Sequence, residues 1–257
     1  PPLFQNTDNF VLFAQKEIEL GAKTQVSSGD LGSNGEINIR NAAIISGNLF
    51  ADEIEIEKDS TINGNASFNE LEAERGAQIL GSTSTPVSLP IANLPSVPNF
   101  PIGAQNRTFT GTSTANILAP GNYRNIVLNK NSRLALTGGL YNLRKLELKE
   151  NAILIYNASA TINIQFKFKG GDNAAILPGG NLKPDDLLIN YLGIRPKKDK
   201  EKEDDEGEIT QLLDDAEKKD LKKGKIGRPI LFGKDSFLNF RLLAPKARVK
   251  LGDRTTL

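Results

Sequence analysis

The stretch Glu53-Ile-Glu-Ile-Glu-Lys-Asp-Ser-Thr-Ile62-Asn-Gly-Asn65 decides the fold. Ile54 and Ile56 alternate with glutamates, the mark of a short strand with one face buried. Ile62 stands eight positions after Ile54, and Asn63, Gly64 and Asn65 bring turn-forming residues behind it. The same 0, +2, +8 pattern of apolar positions occurs in Ile18/Leu20/Val26, Ile37/Ile39/Ile45 and Leu71/Ala73/Ile79. The four units start 19, 17 and 17 residues apart. It returns in Ile126/Leu128/Leu134 and Leu146/Leu148/Leu154, which start 20 apart, and Ile162/Ile164 follow 16 residues later. A unit this short cannot bury its apolar side alone, whereas stacked units can. The pattern therefore predicts an all-β chain, a right-handed parallel β-helix (β-solenoid) of roughly nine coils. Gly21, Gly47, Gly64, Gly138 and Gly139, with Asn63 and Asn65, are expected to supply the positive-φ or turn positions of the coils. An antiparallel sandwich is the alternative, but its strands have no reason to keep a fixed period and internal offset.

Two stretches interrupt the repeat and divide the chain. Residues 1–82 read as N-terminal coils, 83–116 as a Pro-rich connection, and 117–257 as C-terminal coils broken by an insertion at 195–225. The connection carries Pro86, Pro90, Pro95, Pro98 and Pro101, too many for central strands. It is expected to lie along the solenoid, held by Leu89, Ile91, Leu94, Phe100 and Ile102. The insertion holds ten basic and eleven acidic residues in 31. Its first half, 197–206, reads as mobile. Its second half fits an amphipathic helix with Ile209, Leu212, Leu213 and Ala216 on one face, Asp214–Lys218 and Asp215–Lys219 at i,i+4, and Gly224 at the C-terminal cap. Strand patterning resumes over 228–252. The chain opens on Pro1-Pro2 without an initiator Met and so reads as a processed or excised piece, with any anchor upstream. It closes on Thr255-Thr256-Leu257 without a capping element, which suggests either further chain or an open coil used for assembly.

Composition removes several chemistries. The chain has no His, Cys, Met or Trp among its 257 residues. An imidazole or thiolate metal site, a Cys nucleophile and a Ser-His-Asp triad are all excluded. With 32 Lys+Arg against 31 Asp+Glu, a net charge of +1 gives no electrostatic footprint for nucleic acid. No apolar run is long enough to span a bilayer. No phosphate-binding loop or dinucleotide fingerprint is present, and no cofactor is expected. Lys/Glu richness without Cys, Met or Trp is compatible with a heat-adapted source.

The run Leu118-Ala-Pro-Gly-Asn-Tyr-Arg-Asn-Ile-Val-Leu128, followed by Ser132-x-Leu134-x-Leu136-x-Gly-Gly-x-Tyr141, resembles a stretch of bacterial surface proteins often encoded with type IV pilus parts. Leu12-Phe-Ala14 through Ile18-x-Leu20, Gly29-Asp-Leu-Gly-Ser-Asn-Gly35 and Leu243-Ala-Pro-Lys-Ala-x-Val249 fit the same group. The coil repeat is also similar to that of bactofilins, which are polymer-forming β-helices. The resemblance covers about 10–80, 117–193 and 230–252. It implies a β-helix with scaffolding or adhesive work at the cell surface, in the extracellular space, and pilus components as possible partners. It brings no catalytic motif.

Candidate sites follow from the expected register. Glu17, Glu36, Glu53 and Glu70 should form one outward column, Glu19, Asn38, Glu55 and Glu72 the next, and Gly21, Arg40, Glu57 and Glu74 a third. Glu53, Glu55 and Glu57 would then lie over Glu70, Glu72 and Glu74. Like charges opposite one another destabilise adjacent strands, so this wall is either solvated or compensated by cations such as Ca²⁺ or by a basic partner. Farther along, the corresponding outward positions are Asn125, Asn129, Lys145, Lys149 and Gln165, with Lys167 and Lys169 nearby, which would make the same face neutral to basic, a polarity suited to head-to-tail or staggered association. Tyr123 and Tyr141, 18 apart, should stack at one corner, either as packing or as a sugar-binding platform. Because β-helices also host polysaccharide lyases and hydrolases, Asp185-Asp186 with Lys183, and Asp204-Asp205, are weighed as carboxylate pairs. A turn and a solvated charge run explain them more simply. The reading reached is a non-catalytic adhesin or scaffold that binds an external polymer such as a polysaccharide. A self-assembling filament subunit is the first alternative and a β-helix lyase or hydrolase the second.

Overall fold

The computed structural model describes residues 7–93, 99–111, 116–194, 207, 209, 211, 213 and 215–257. It is an all-β chain of mostly parallel strands stacked as a β-solenoid of about eleven turns, somewhat more than the repeat count suggested. Each coil contributes short strands to three faces. Face I stacks 106–109, 125–128, 145–148, 167–170, 230–232, 249–251, 17–20, 36–39, 53–56 and 70–73 in that order. The order is not that of the sequence. The first coil of the chain lies on its last, with Ile18, Glu19 and Leu20 paired to Val249, Lys250 and Leu251.

Face II repeats this order, from Gly121–Tyr123 through Phe10–Ala14 to Thr83–Ser84, and again joins the two ends of the chain through Leu12↔Leu242, Phe13↔Leu243 and Ala14↔Ala244. Face III runs from Asn116–Leu118 to Gln78–Ile79, and single bridges from Thr256 to Phe237 and to Gln25 carry it across the same level. The C-terminal coil is therefore not an open end, because Ser27 and Gln25 donate to Leu257 and Thr255 and the Leu257 amide donates to Gln25. Among the described residues, the edges on which no further strand pairs belong to 70–84 and to 106–118.

The apolar alternation becomes the core. Ile18, Ile37 and Ile54 stack on face I with Leu20, Ile39 and Ile56 beside them, all essentially without exposure. Ile162 and Ile164, matched in sequence to this face, lie instead on face II against Tyr141 and Leu143. A register shift after Leu143 gives the upper strand one extra residue, so Phe168 takes the place above Leu146.

One corner is common to nearly every coil. Lys23, Ala42, Asp59, Asn131, Asn151, Asn173 and Asp235 each precede a face III strand by two residues, and Arg254 precedes the Thr256 bridge by two, all with φ between 54° and 61°. Gly138 and Gly139 have positive φ as expected, but Gly21, Gly47 and Gly64 do not. They are glycine because adjacent coils meet there. A Cβ on Gly47 would strike the Gly29 carbonyl, and one on Gly64 would lie 2.8 Å from the Asn48 nitrogen.

The span read as a connection, 83–116, carries strands at Thr83–Ser84 and Asn106–Phe109 that complete coils. These two strands stand at opposite ends of the stack. Ile91 and Ala92 are buried against Phe10, Phe13 and Leu243 on the outer side of face II, and Asn34 both donates to the Ala92 carbonyl and accepts from its amide. Phe100 is buried and Ile102 partly so, whereas Leu89, expected as an anchor, is exposed. Leu94, Pro95 and Pro98 lie outside the described residues.

The helix Asp215–Lys222 ends in a Schellman turn: Gly224 at φ 70° donates to Leu221, and Lys225 donates to Asp220. Ile209 and Leu213 are buried against Leu231, but Ala216 is exposed, and Lys218 pairs with Asp215 at i,i+3. The expectations for 197–206, Leu212 and Asp214 fall outside the described residues. Among the described residues no helix is long and apolar enough to cross a membrane.

Candidate functional site

Two outward surfaces stand out, one charged and one apolar. The charged one is face I, where the expected columns form: Glu17↔Glu36↔Glu53↔Glu70 and Glu19↔Asn38↔Glu55↔Glu72. Glu57 and Glu74 follow in the third column, with Arg40 between Glu19 and Glu57 and bonded to both. The carboxyls feel one another. Burial and then the charges of Glu36 and Glu70 raise Glu53 above the ordinary carboxylate range, and burial, partly opposed by Arg40 and reinforced by Glu72, raises Glu55. Among the described residues no three acidic side chains gather closely enough to hold a metal ion. The wall is a row of charges, not a chelating cup.

The same face changes sign along its length. Arg248 pairs with Glu17, and Lys250 reaches Glu19 at 2.8 Å. Farther down, Lys145 lies over Lys167 and Glu147 over Lys169. Glu147 is buried and contacts Lys145 at 2.8 Å, Lys149, and Lys167 at 3.7 Å. Burial alone would raise its carboxyl, but the bonds from Lys145 and Lys149 and the charge of Lys167 hold it below the usual range. Beside it the guanidinium carbons of Arg144 and Arg228 each stand 5.1 Å from the Phe166 ring centre, a cation–π arrangement. Lys167, which pairs with Lys145 in register, is buried.

Tyr123 and Tyr141 do not stack. The local period is 20, so Tyr141 pairs with Gly121 and Tyr123 with Leu143. Tyr141 is 1% exposed, and its hydroxyl donates to the Leu118 carbonyl at 2.9 Å. Tyr123 is half-buried and donates to Ala119 at 2.8 Å. Both rings pack the corner, and Tyr141 offers no surface to a ligand. Asp186 accepts from the Lys183 amide and from Ser159, which holds its carboxyl below the usual range and closes the turn Pro184–Asp186. Asp185 faces Arg241 at 4.0 Å. The pair makes a turn, and Asp204-Asp205 lies outside the described residues.

Sequence reasoning missed two features. One is an asparagine ladder on face II, in which Asn142 donates to Asn122, Asn163 to Asn142 and Asn190 to Asn163, at 2.8–3.0 Å. Its signal was an Asn flanked by apolar residues in Tyr141-Asn-Leu143, Ile162-Asn-Ile164 and Ile189-Asn-Tyr191. The other is the apolar surface. On face III, Ile117, Ala135, Ile155 and Leu177 form one column turned from the core, and Arg133, Ile153, Ala175 and Phe237 the neighbouring one, with Ala135 and Ala175 themselves buried. Ile117 is 72% and Phe237 51% exposed. The N-terminal coils carry Gln25, Ile44, Thr61 and Gln78 in line with the second column. The signal was strands apolar at consecutive positions, as in Ile153-Leu-Ile-Tyr156.

Fold and surfaces together define a β-solenoid with one face that changes sign along its length and another that carries an apolar array. Compared with protein-family models, curated proteins and solved structures, the chain matches none.

Proposed function

We propose that the chain is a rigid, non-catalytic scaffold of the bacterial cell surface, of the pilus-associated kind its motifs resemble, that adheres to an external polymer such as a polysaccharide. The observation that carries this reading is the outward apolar array on face III. Strands about 4.8 Å apart hold Ile117, Ile153, Ile155, Leu177 and Phe237 in register on one sheet. Contiguous apolar surface rimmed by polar groups marks contact sites. The test is co-sedimentation with cellulose, xylan, chitin and peptidoglycan, with the supernatant assayed for released sugar. Wild type should pellet with at least one polymer and release nothing, while Ile155→Glu/Leu177→Glu should stay in solution with an unchanged melting curve. Sugar release, or equal binding by the variant, would overturn the reading.

A filament subunit is the second reading, favoured by the open edge of Glu70–Ala73, where the inward Leu71 is 37% exposed. It ranks lower because Arg107 occupies the inward position against Ile126 at the opposite end, and an inward charge opposes further strand addition. Electron microscopy of concentrated protein decides it: filaments would promote this reading, and dispersed particles would remove it.

A further inference from the structure

The chain meets itself at one level of the stack, and the meeting is noncovalent. Leu12–Ala14 pair with Leu242–Ala244, Ile18–Leu20 with Val249–Leu251, and Gln25 with Thr256. Residues 7–84 thus form one block and 106–257 a second, joined covalently only through 85–105. We propose that the two blocks exchange between copies: the first-coil edge of one chain docks on the last-coil edge of another and rebuilds the same junction in an exchanged dimer.

The charges of face I make that junction selective. Within the first block glutamate lies over glutamate, and within the second Lys145 lies over Lys167. Opposite signs face each other at the junction, Arg248 against Glu17 and Lys250 against Glu19. A small cleft of about 40 Å³ opens there, between Glu17, Glu19, Pro229, Arg248 and Lys250. The basic edge of the second block therefore fits the acidic edge of the first, and nothing in the fit distinguishes a chain's own edge from that of another copy.

Chain length permits both forms. In the closed form the two ends of the connection stand roughly ten levels of about 4.8 Å apart, about 48 Å in all. Residues 85–102 reach about 60 Å when extended, so closure uses most of their span. Two exchanged solenoids set side by side and antiparallel bring the top of one beside the bottom of the other, where the same connection has slack. Closure within one chain prevails in dilute solution, because the tether holds the edges at an effective concentration on the order of millimolar. Exchange is favoured when chains refold together at high concentration.

The experiment uses two full-length variants of reversed charge, Arg248→Glu/Lys250→Glu and Glu17→Lys/Glu19→Lys. Each alone brings like charges together on closure and should melt below wild type. Refolded together from denaturant, each block finds its complement only on the other chain, and native mass spectrometry should show a 1:1 dimer absent from either variant alone. A mixture that shows only the species of the separate variants overturns the proposal. A dimer through the apolar face III would form equally in each variant alone, without denaturation, and would likewise count against it. Should neither variant fold even when mixed, wild type decides. Refolded at rising concentration, it should give a growing dimer fraction that persists on dilution, and monomer throughout would overturn the proposal.

Discussion

Lys250 stands directly on Glu19, 231 residues away in the chain, with its Nζ 2.9 Å from the carboxylate Oε1. With Arg248 on Glu17, this pair marks where the ends of the chain close into one solenoid. Both lysine and glutamate are part-exposed, so Lys250→Ala should cost only about 0.5–1 kcal/mol. Arg248→Ala should cost more, about 2 kcal/mol, because Glu17 is already raised by burial against the opposing effect of Arg248 and would lose its cation. Urea unfolding checks both, and added salt should narrow the gap between wild type and Lys250→Ala.

The acidic wall works against folding at neutral pH. Glu53 and Glu55 have folded-state carboxyls above the ordinary value, so the folded state takes up their protons first as pH falls. The corresponding stability is present below about pH 4.5 and is lost as pH rises through the raised values. Glu53→Gln/Glu55→Gln should therefore stabilise the protein at pH 7 by roughly 0.2–1 kcal/mol, and the gain should vanish in acid. Thermal melts of both chains at pH 7 and pH 4 test this, and a gain that persisted at pH 4 would mean that repulsion is not its source.

Glu147 has the opposite sign. Its carboxyl is held below the usual range, so its contribution is present above the ordinary carboxylate pKa and is lost as pH falls through the depressed folded value. Glu147→Gln leaves the surrounding lysines with a buried neutral amide and should cost up to about 3 kcal/mol at pH 7. The cost should shrink below pH 4, which urea unfolding at the two pH values will show.

The register of the first coils was legible because the internal offset of their apolar positions is kept from coil to coil, and Glu36, Glu53 and Glu70 stack as the 17-residue spacing demands. Tyr123 and Tyr141 were paired by a spacing of 18 where the local coil needs 20, and the ladder follows hydrogen bonds, not ring spacing. The extra residue near Gln165 and Phe166 moved Phe168 into the place given to Ile162, since a bulge has no periodic signature. Glu19 on Lys250 was beyond reach for a different reason. Pairing of the first coil with the last is a closure of the whole chain, and no local pattern encodes it. The apolar face III was hidden because a strand apolar on both sides reads as a buried one.

The repeated left-handed corner and the glycine column make opposite demands on the same kind of residue. Ala42 sits in the corner with φ 57°, a region in which a Cβ crowds the carbonyl. Its amide still donates to the Lys58 carbonyl of the next coil, so the corner is kept by the stack and not by the residue's preference. Ala42→Gly removes the clash and keeps the bond. It should stabilise by up to about 1 kcal/mol, less whatever the unfolded chain gains in freedom. Gly64 lies on the opposing side of this rule. Its φ is not positive, yet an added methyl would meet the Gly47 carbonyl carbon at 2.5 Å and the Asn48 nitrogen at 2.8 Å, both backbone atoms that cannot swing aside. Gly64→Ala must therefore push adjacent coils apart and should cost about 1–3 kcal/mol, although the intrinsic preference of Ala over Gly points the other way. Differential scanning calorimetry of the two variants separates the causes: Ala42→Gly should melt above wild type and Gly64→Ala below it. The reverse order would mean that backbone freedom, not the close approach of the coils, sets where glycine stands in this solenoid.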